Sequence, residues 1–200
     1  MTILLAAAIA YVLGAIPFGY LLVKWTTGRD VRSGGSGNIG ATNVLRTTGR
    51  AAGIATLLLD IGKGYLAVWI AGRLSNHDAM TMSVAALAVM AGHAYPVFLG
   101  FHGGKAVASF VGSFLCLTPL ALGAVLVVFV GVVAWTRYIS MGSVVSAATF
   151  PLAVWLFERD VIMLAAALIA GAFIIYKHSS NIQRLHSGSE NVFTFGAGKP

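Results

Sequence analysis

The side chains of this sequence that could do chemistry gather in three polar stretches, separated by long apolar runs, and the first two carry groups suited to binding an anion. The first, from Arg32, reads RSGGSGNIGATNVLRTTGR. Its glycines, Gly37 among them, allow successive backbone N–H groups to converge on one anion, while Ser36, Asn38, Thr42 and Asn43 add uncharged donors. Arg46 offers a planar fork that fits a phosphate. The run Gly35 to Gly40, GSGNIG, matches the dinucleotide fingerprint in form only. That fingerprint works in the turn between a strand and a helix, and here an apolar helix of membrane length precedes it. The competing reading is a flexible interfacial loop whose arginines only set topology.

The second stretch, Gly92 to Ala108, reads GHAYPVFLGFHGGKAVA. It is not a Walker motif, because Gly100 is one residue too close to Gly104 and Ala106 stands where magnesium would need Ser or Thr. Gly103, Gly104 and Lys105 nevertheless fall just before a helix, where free N–H groups, the helix dipole and a full charge all favour an anion. A lysine snorkelling to lipid headgroups is the alternative. His93 and His102 read as hydrogen-bonded loop histidines. The third stretch, Lys177 to Asn191, reads KHSSNIQRLHSGSEN, with His178 and Asn181 three apart and on one face if the preceding helix continues. A histidine at a membrane boundary can serve as base or as orienter. Taken alone, a solvated basic tail is the simpler reading.

Other chemistries find little support. His93, His102, His178 and His186 lie in or beside the polar stretches, but none shows H-E-x-x-H spacing and Glu190 is the only acidic neighbour, so no metal site is expected. There is no H-x4-D pair of the kind many glycerolipid acyltransferases use. No G-x-S-x-G elbow occurs either. Cys116 is the only cysteine, which excludes an internal disulfide and a cysteine metal site.

The elements that must position these residues are membrane helices. With 58% hydrophobic and 10% charged residues, and a mean hydropathy of +0.87, the chain cannot cover a water-facing shell. The net charge of +7 signals topology first and an anionic ligand second. Ile3 to Val23 reads as a retained first helix rather than a secretion signal, since no basic residue precedes it and it is long enough to span. Pro17 should kink it, and Lys24 and Trp25 mark its exit. Further spans are expected at Ala51 to Ala71, Ala79 to Leu99, Ala106 to Leu117, Leu120 to Trp135, Val144 to Phe157 and Val161 to Tyr176. Thr118 and Pro119 favour a break between two of them, because one uninterrupted helix would be about 45 Å long against a core of about 30 Å.

Lysine and arginine placement agrees with an all-α polytopic protein of about seven transmembrane helices, amino terminus outside and carboxyl terminus cytoplasmic. Lys24, Arg29, Arg32, Arg46, Arg50, Lys105, Arg137, Lys177, Arg184 and Lys199 then lie inside, and only Arg73 and Arg159 outside. Merging the doubtful pair of spans removes most of that bias. Seven spans also bring the three polar stretches out on one face, so they can share a site. No repeat of fixed period is visible, and residues 1–200 read as a single membrane-embedded domain. Asp60 and Lys63, one turn apart within a span, favour a structural role, with Gly62 and Gly64 suggesting close helix packing. The G-x-x-x-G at Gly49 and Gly53 is too weak to imply a dimer.

In this order, SGNIGATNVLR, GHAYPVFLGFHGGKAVA and HSSNIQRLHSGSEN resemble the bacterial acyl-phosphate-dependent glycerol-3-phosphate acyltransferases, the PlsY family. LLLDIGKG and RYISMGS are similar as well, so the resemblance covers nearly the whole chain. It implies transfer of an acyl group from acyl phosphate to the 1-hydroxyl of glycerol 3-phosphate, giving lysophosphatidate and inorganic phosphate, the first acylation of bacterial phospholipid synthesis. It implies no cofactor, no metal and no nucleic acid. The expected partners are acyl phosphate, glycerol 3-phosphate and membrane lipid, for a monomer in the cytoplasmic membrane with its site on the cytoplasmic face. Ser36, Arg46, Lys105, His178 and Asn181 are then the catalytic set, and Gly37, Asn38, Thr42, Asn43, Gly103, Gly104 and Ser143 bind substrate or phosphate. An acyl phosphate is an activated anhydride, so the site must mostly position and neutralise. Either His178 or the departing phosphate takes the hydroxyl proton. The rival from another class is an organophosphate transporter, which predicts charges along a midplane pathway and some repeat symmetry.

Overall fold

The computed structural model describes residues 1–193, and every regular element among them is helical. Helix α1 (Thr2–Ala15) stops at Ile16, which Pro17 forces into an extended conformation, and α2 (Phe18–Thr27) resumes the span until Gly28 closes it at φ 71°. The first polar stretch follows as a loop, with one tight turn at Val31–Ser33, and ends in the short α3 (Ala41–Thr48). Next come α4 (Arg50–Ser75) and α5 (Ala79–Ala94), the latter started by Asp78, whose carboxylate accepts the Thr81 N–H at 2.8 Å. After a tight turn at Val97–Leu99 and the second polar stretch, α6 (Val107–Leu117) leads into α7 (Pro119–Thr136). The expected break is present. Pro119 makes it, since the Thr118 hydroxyl forms no capping bond. Helix α8 (Ile139–Phe157), α9 (Val161–Lys177) and α10 (Ser179–His186) are the last elements among the described residues, α9 being capped by Asp160.

Five segments are long and apolar enough to cross a bilayer: Thr2–Thr27, Arg50–Ser75, Ala79–Leu99, Pro119–Thr136 and Ile139–Phe157. The bent pair α9 and α10, which turns by 56° at His178, raises the number to six. Helix α6 was expected as a further span, but its 11 residues reach only about 16 Å, roughly half of a hydrocarbon core. Lys199, counted with the inner charges, lies outside the described residues.

The chain forms two compact units, Met1–Leu117 and a second beginning at Thr118. In the first, α1 packs on α5 and α4, and α4 packs on α6. Between α1 and α5, and between α4 and α6, the backbones come into direct contact. Gly14 of α1 lies against the Val89 backbone, and Gly92 of α5 lies against the Tyr11 carbonyl. Gly64 and Gly112 do the same between α4 and α6, on Ser109 and Ile61. Such approaches replace a hydrophobic driving force that lipid does not supply. Gly62 faces open space, so of the two glycines flanking Lys63 only Gly64 serves packing. Gly53 sits on Leu45 of α3, so its small face is used within the chain. In the second unit α8 packs on both α7 and α9, with Leu122, Phe150 and Ile174 buried.

Candidate active site

The first polar stretch is organised around one buried side chain. Val44 of α3 packs with Val23, Val31 and Ile39, which turns the neighbouring Asn43 into the loop. Asn43 Oδ1 accepts the Ser36 N–H at 2.8 Å, and its Nδ2 donates toward the carbonyls of Asn38, Gly34 and Val31 at 2.8, 3.1 and 3.2 Å. Its amide therefore shapes the loop from within. Asn38 also works locally, its Oδ1 accepting the Gly40 N–H at 2.9 Å ahead of α3. Gly35 and Gly37 take φ values of 60° and 68°, the conformations that let this short loop curl around Asn43. Ser36, Gly37 and Arg46 remain exposed, and Thr42 is half-buried. The result is a pre-shaped polar loop with Ser36 and Arg46 among its exposed side chains.

The second polar stretch folds back on the end of α5. The Gly104 N–H donates to the His93 carbonyl at 3.0 Å, so of the two adjacent glycine amides expected to face an anion, one is engaged within the protein. Lys105 is half-buried, and Ala106 holds φ 62° immediately before α6. His102 is the hydrogen-bonded loop histidine expected, its Nδ1 lying 2.6 Å from the Gly100 carbonyl. His93 is different. It is in α5, buried, with Nδ1 3.6 Å from Asp60 Oδ1. Asp60 is also paired with Lys63 at 2.8 Å.

In the second unit His178 occupies the bend between α9 and α10 and is buried. Its Nδ1 lies 2.8 Å from the Ile174 carbonyl, which can only accept, so Nδ1 carries a proton, and whenever the ring is neutral the lone pair is on Nε2. Asn181 of α10 donates from Nδ2 to Glu190 at 2.7 Å. Ser140 and Arg184 donate to the same carboxylate at 2.9 and 2.8 Å. Burial pushes the Glu190 carboxyl up, but the bonds from Asn181, Arg184 and Ser140 outweigh it and hold the group below its ordinary range. Ser143, on the same helix as Ser140, donates to its own Ile139 carbonyl at 3.0 Å. Glu190 and His93 are the residues that sequence reasoning undervalued. The signal for Glu190 was its solitary negative charge in a basic tail. Among the described residues no three His, Cys, Asp or Glu side chains converge as metal ligands do.

Fold and site together define a helical integral membrane protein with pre-shaped polar loops between its apolar helices. A family model described as glycerol-3-phosphate acyltransferase matches residues 4–188. The chain is 48% identical over 190 residues to a glycerol-3-phosphate acyltransferase of Geobacter sulfurreducens, covering 95% of this chain and 97% of that protein. With that of Geotalea daltonii it shares 46% over 184 residues, 92% and 94% of the two chains. It is also similar to the crystal structure of PlsY, an integral membrane glycerol 3-phosphate acyltransferase, in its glycerol 3-phosphate form: TM-score 0.92, 37% identity, 97% of this chain and 96% of that one. Against the lysophosphatidic acid form the TM-score is 0.88, at 36% identity and the same coverage. The chain belongs to the PlsY-type glycerol-3-phosphate acyltransferase family, and it is an acyltransferase.

Proposed function

We propose that this acyltransferase moves an acyl group from an acyl phosphate to the 1-hydroxyl of glycerol 3-phosphate, producing lysophosphatidate and inorganic phosphate. The observation that carries this reading is the pair of similar structures described as glycerol 3-phosphate and lysophosphatidic acid forms, two molecules that differ by one acyl group. The hydroxyl oxygen attacks the acyl carbon, the bond from that carbon to the phosphate oxygen breaks, and phosphate leaves. No protein nucleophile is needed. Arg46, Lys105, Ser36 and Asn181 hold the charged and polar substrate groups, and the Gly103 amide faces the donor phosphate, because the Gly104 amide is engaged with His93. Gly37, Asn38, Thr42 and Asn43 shape and line the first binding loop, and Ser143 of α8 contributes to substrate binding. The proton passes to His178 Nε2 or to the departing phosphate; the Nδ1–H tautomer supports the first route.

The charge distribution supports seven crossings of a bacterial cytoplasmic membrane, with α6 as a short crossing helix, the amino terminus outside and the polar stretches on the cytoplasmic face. The protein acts as a monomer without a cofactor. The transporter alternative needs open charges along a path through the membrane. The charges described near mid-span, Asp60 and Lys63, are instead ion-paired and buried. The test is the purified protein in lipid, given acyl phosphate and labelled glycerol 3-phosphate. Equal amounts of inorganic phosphate and labelled lysophosphatidate are expected, and none from acyl-CoA. A folded sample that yields no product, or that uses only acyl-CoA, overturns the donor assignment.

A further inference from the structure

Asp60, Lys63 and His93 form a cluster of ionisable side chains in the middle of an apolar helix bundle, with side-chain exposures of 2%, 3% and 3%. Asp60 and Lys63 are one turn apart on α4, and Asp60 Oδ1 receives Lys63 Nζ at 2.8 Å and has His93 Nδ1 at 3.6 Å. Lys63 Nζ also donates at 2.8 Å to the Ile16 carbonyl, exposed where Pro17 interrupts the first span, and lies 5.6 Å from the Phe18 ring centroid. Ionisable groups inside a bilayer are costly, and a buried ion pair is seldom more stable than well-packed apolar residues of the same volume. Its presence therefore calls for a role other than stability.

The far side of the His93 imidazole supplies one. A methyl group on Gly104 would run into its Nε2, and one on Gly103 would meet the His93 carbonyl and the Pro96 ring. The Gly104 N–H donates to that same carbonyl at 3.0 Å. One face of residue 93 thus touches the buried carboxylate and the other supports the backbone immediately before Lys105. We propose that His93 is a positioning residue for the Gly103–Gly104–Lys105 turn, with Asp60 fixing its imidazole and Lys63 balancing the Asp60 charge. None of the three need touch substrate. This rests on the assignment of that turn to a phosphate group.

Two conservative variants separate the two faces of the ring. His93→Asn keeps a donor where Nδ1 faces Asp60 but removes the atoms lying on Gly104, and His93→Gln places its amide near Nε2 and gives up the Asp60 contact. For each, together with Asp60→Asn, the purified protein in lipid is assayed for thermal unfolding, for kcat and KM, and for direct binding of glycerol 3-phosphate. The expected result is unchanged melting for His93→Asn, a roughly tenfold weakening of binding and of the phosphate-substrate KM, and kcat within about threefold. His93→Gln should restore part of the loss. Gly104→Ala should reproduce the KM effect, and its combination with His93→Asn should be clearly less than additive.

Wild-type KM and binding in every folded variant would overturn the proposal. So would losses that follow melting temperature alone, additive losses in the double variant, or failure of both His93 variants to fold, which would make the cluster a stability element. A wild-type protein that binds glycerol 3-phosphate but does not use acyl phosphate would defeat the donor reading only, leaving the binding comparison to decide this one.

Discussion

Asn43 gives the sharpest test of how the first polar loop is held. Its Nδ2 carries two hydrogens directed at three carbonyls, and its Oδ1 accepts one N–H, so the side chain supplies about three full hydrogen bonds at a site only 2% exposed. At about 1 kcal/mol net each, Asn43→Ala removes about 3 kcal/mol of loop order, or about 2 kcal/mol if water reaches the half-buried Gly34 and Asn38 groups. That corresponds to a fall of about 30- to 150-fold in the population with the native loop shape, and kcat/KM should fall by up to that factor. Asn43→Asp should be no better than Ala, because it loses both donors and points a negative charge at the carbonyls of Val31, Gly34 and Asn38. The assay is kcat/KM for both substrates on purified protein in lipid, beside a melting curve. Folded variants within threefold of wild type, or an aspartate variant tenfold better than alanine, would refute the hub role.

Arg46→Lys should raise the KM for glycerol 3-phosphate about tenfold in steady-state assays, since an ammonium cannot form the two parallel bonds of a guanidinium. The proton route is decided by pairing that variant with His178→Ala: turnover surviving within about tenfold assigns the proton to the leaving phosphate, and loss beyond about a hundredfold assigns it to the imidazole. Glu190 is held below its ordinary value, so its contribution is complete above about pH 4.3 and fades as pH falls through the depressed value. Limited proteolysis across pH 3 to 7 should show the α10 region opening only at the acid end, and Glu190→Gln should remove that pH dependence. Gly112→Ala would drive a methyl into the Ile61 carbonyl and should lower thermal stability by about 2 kcal/mol or more, whereas Gly131→Ala, facing open space, should be neutral or slightly stabilising.

Much of this was visible in the residues because each signal was local. Pro17 and Pro119 break helices wherever they stand, and the density of Gly, Asn and Arg around Ser36 marks a loop in any context. Pairings between elements were not visible. Asp60 and Lys63 could be matched by their spacing on one helix, but nothing in the sequence says that His93, on another helix, completes the cluster. Glu190 likewise meets Ser140 and Asn181 only because α10 bends by 56° at His178, a bend that a continued helix would not have. Asn43 was read as a donor to substrate because its amide chemistry fits one, and only the loop's curl shows that neighbouring carbonyls take that amide first. Helix α6 begins at Val107, one residue later than expected, because Ala106 adopts a positive φ, which its apolar side chain does not advertise.

A shared construction links the three polar stretches. In each, a largely buried polar side chain meets several backbone or side-chain groups: Asn43 within the first loop, His93 behind the second, Glu190 over the third. Water at a membrane surface competes for every donor offered to an anion, so a loop that must reorganise before binding gives up much of what its charges contribute. On the proposed function, fixing the loop beforehand from its buried side would let Ser36, Arg46 and Lys105 meet the anion with little reorganisation. The kinetic consequence is specific. Substitutions at these buried hubs should weaken phosphate recognition almost as strongly as substitutions at the residues that make the contact, while a comparable change on a lipid-facing residue such as Val127 should leave both kcat and KM untouched.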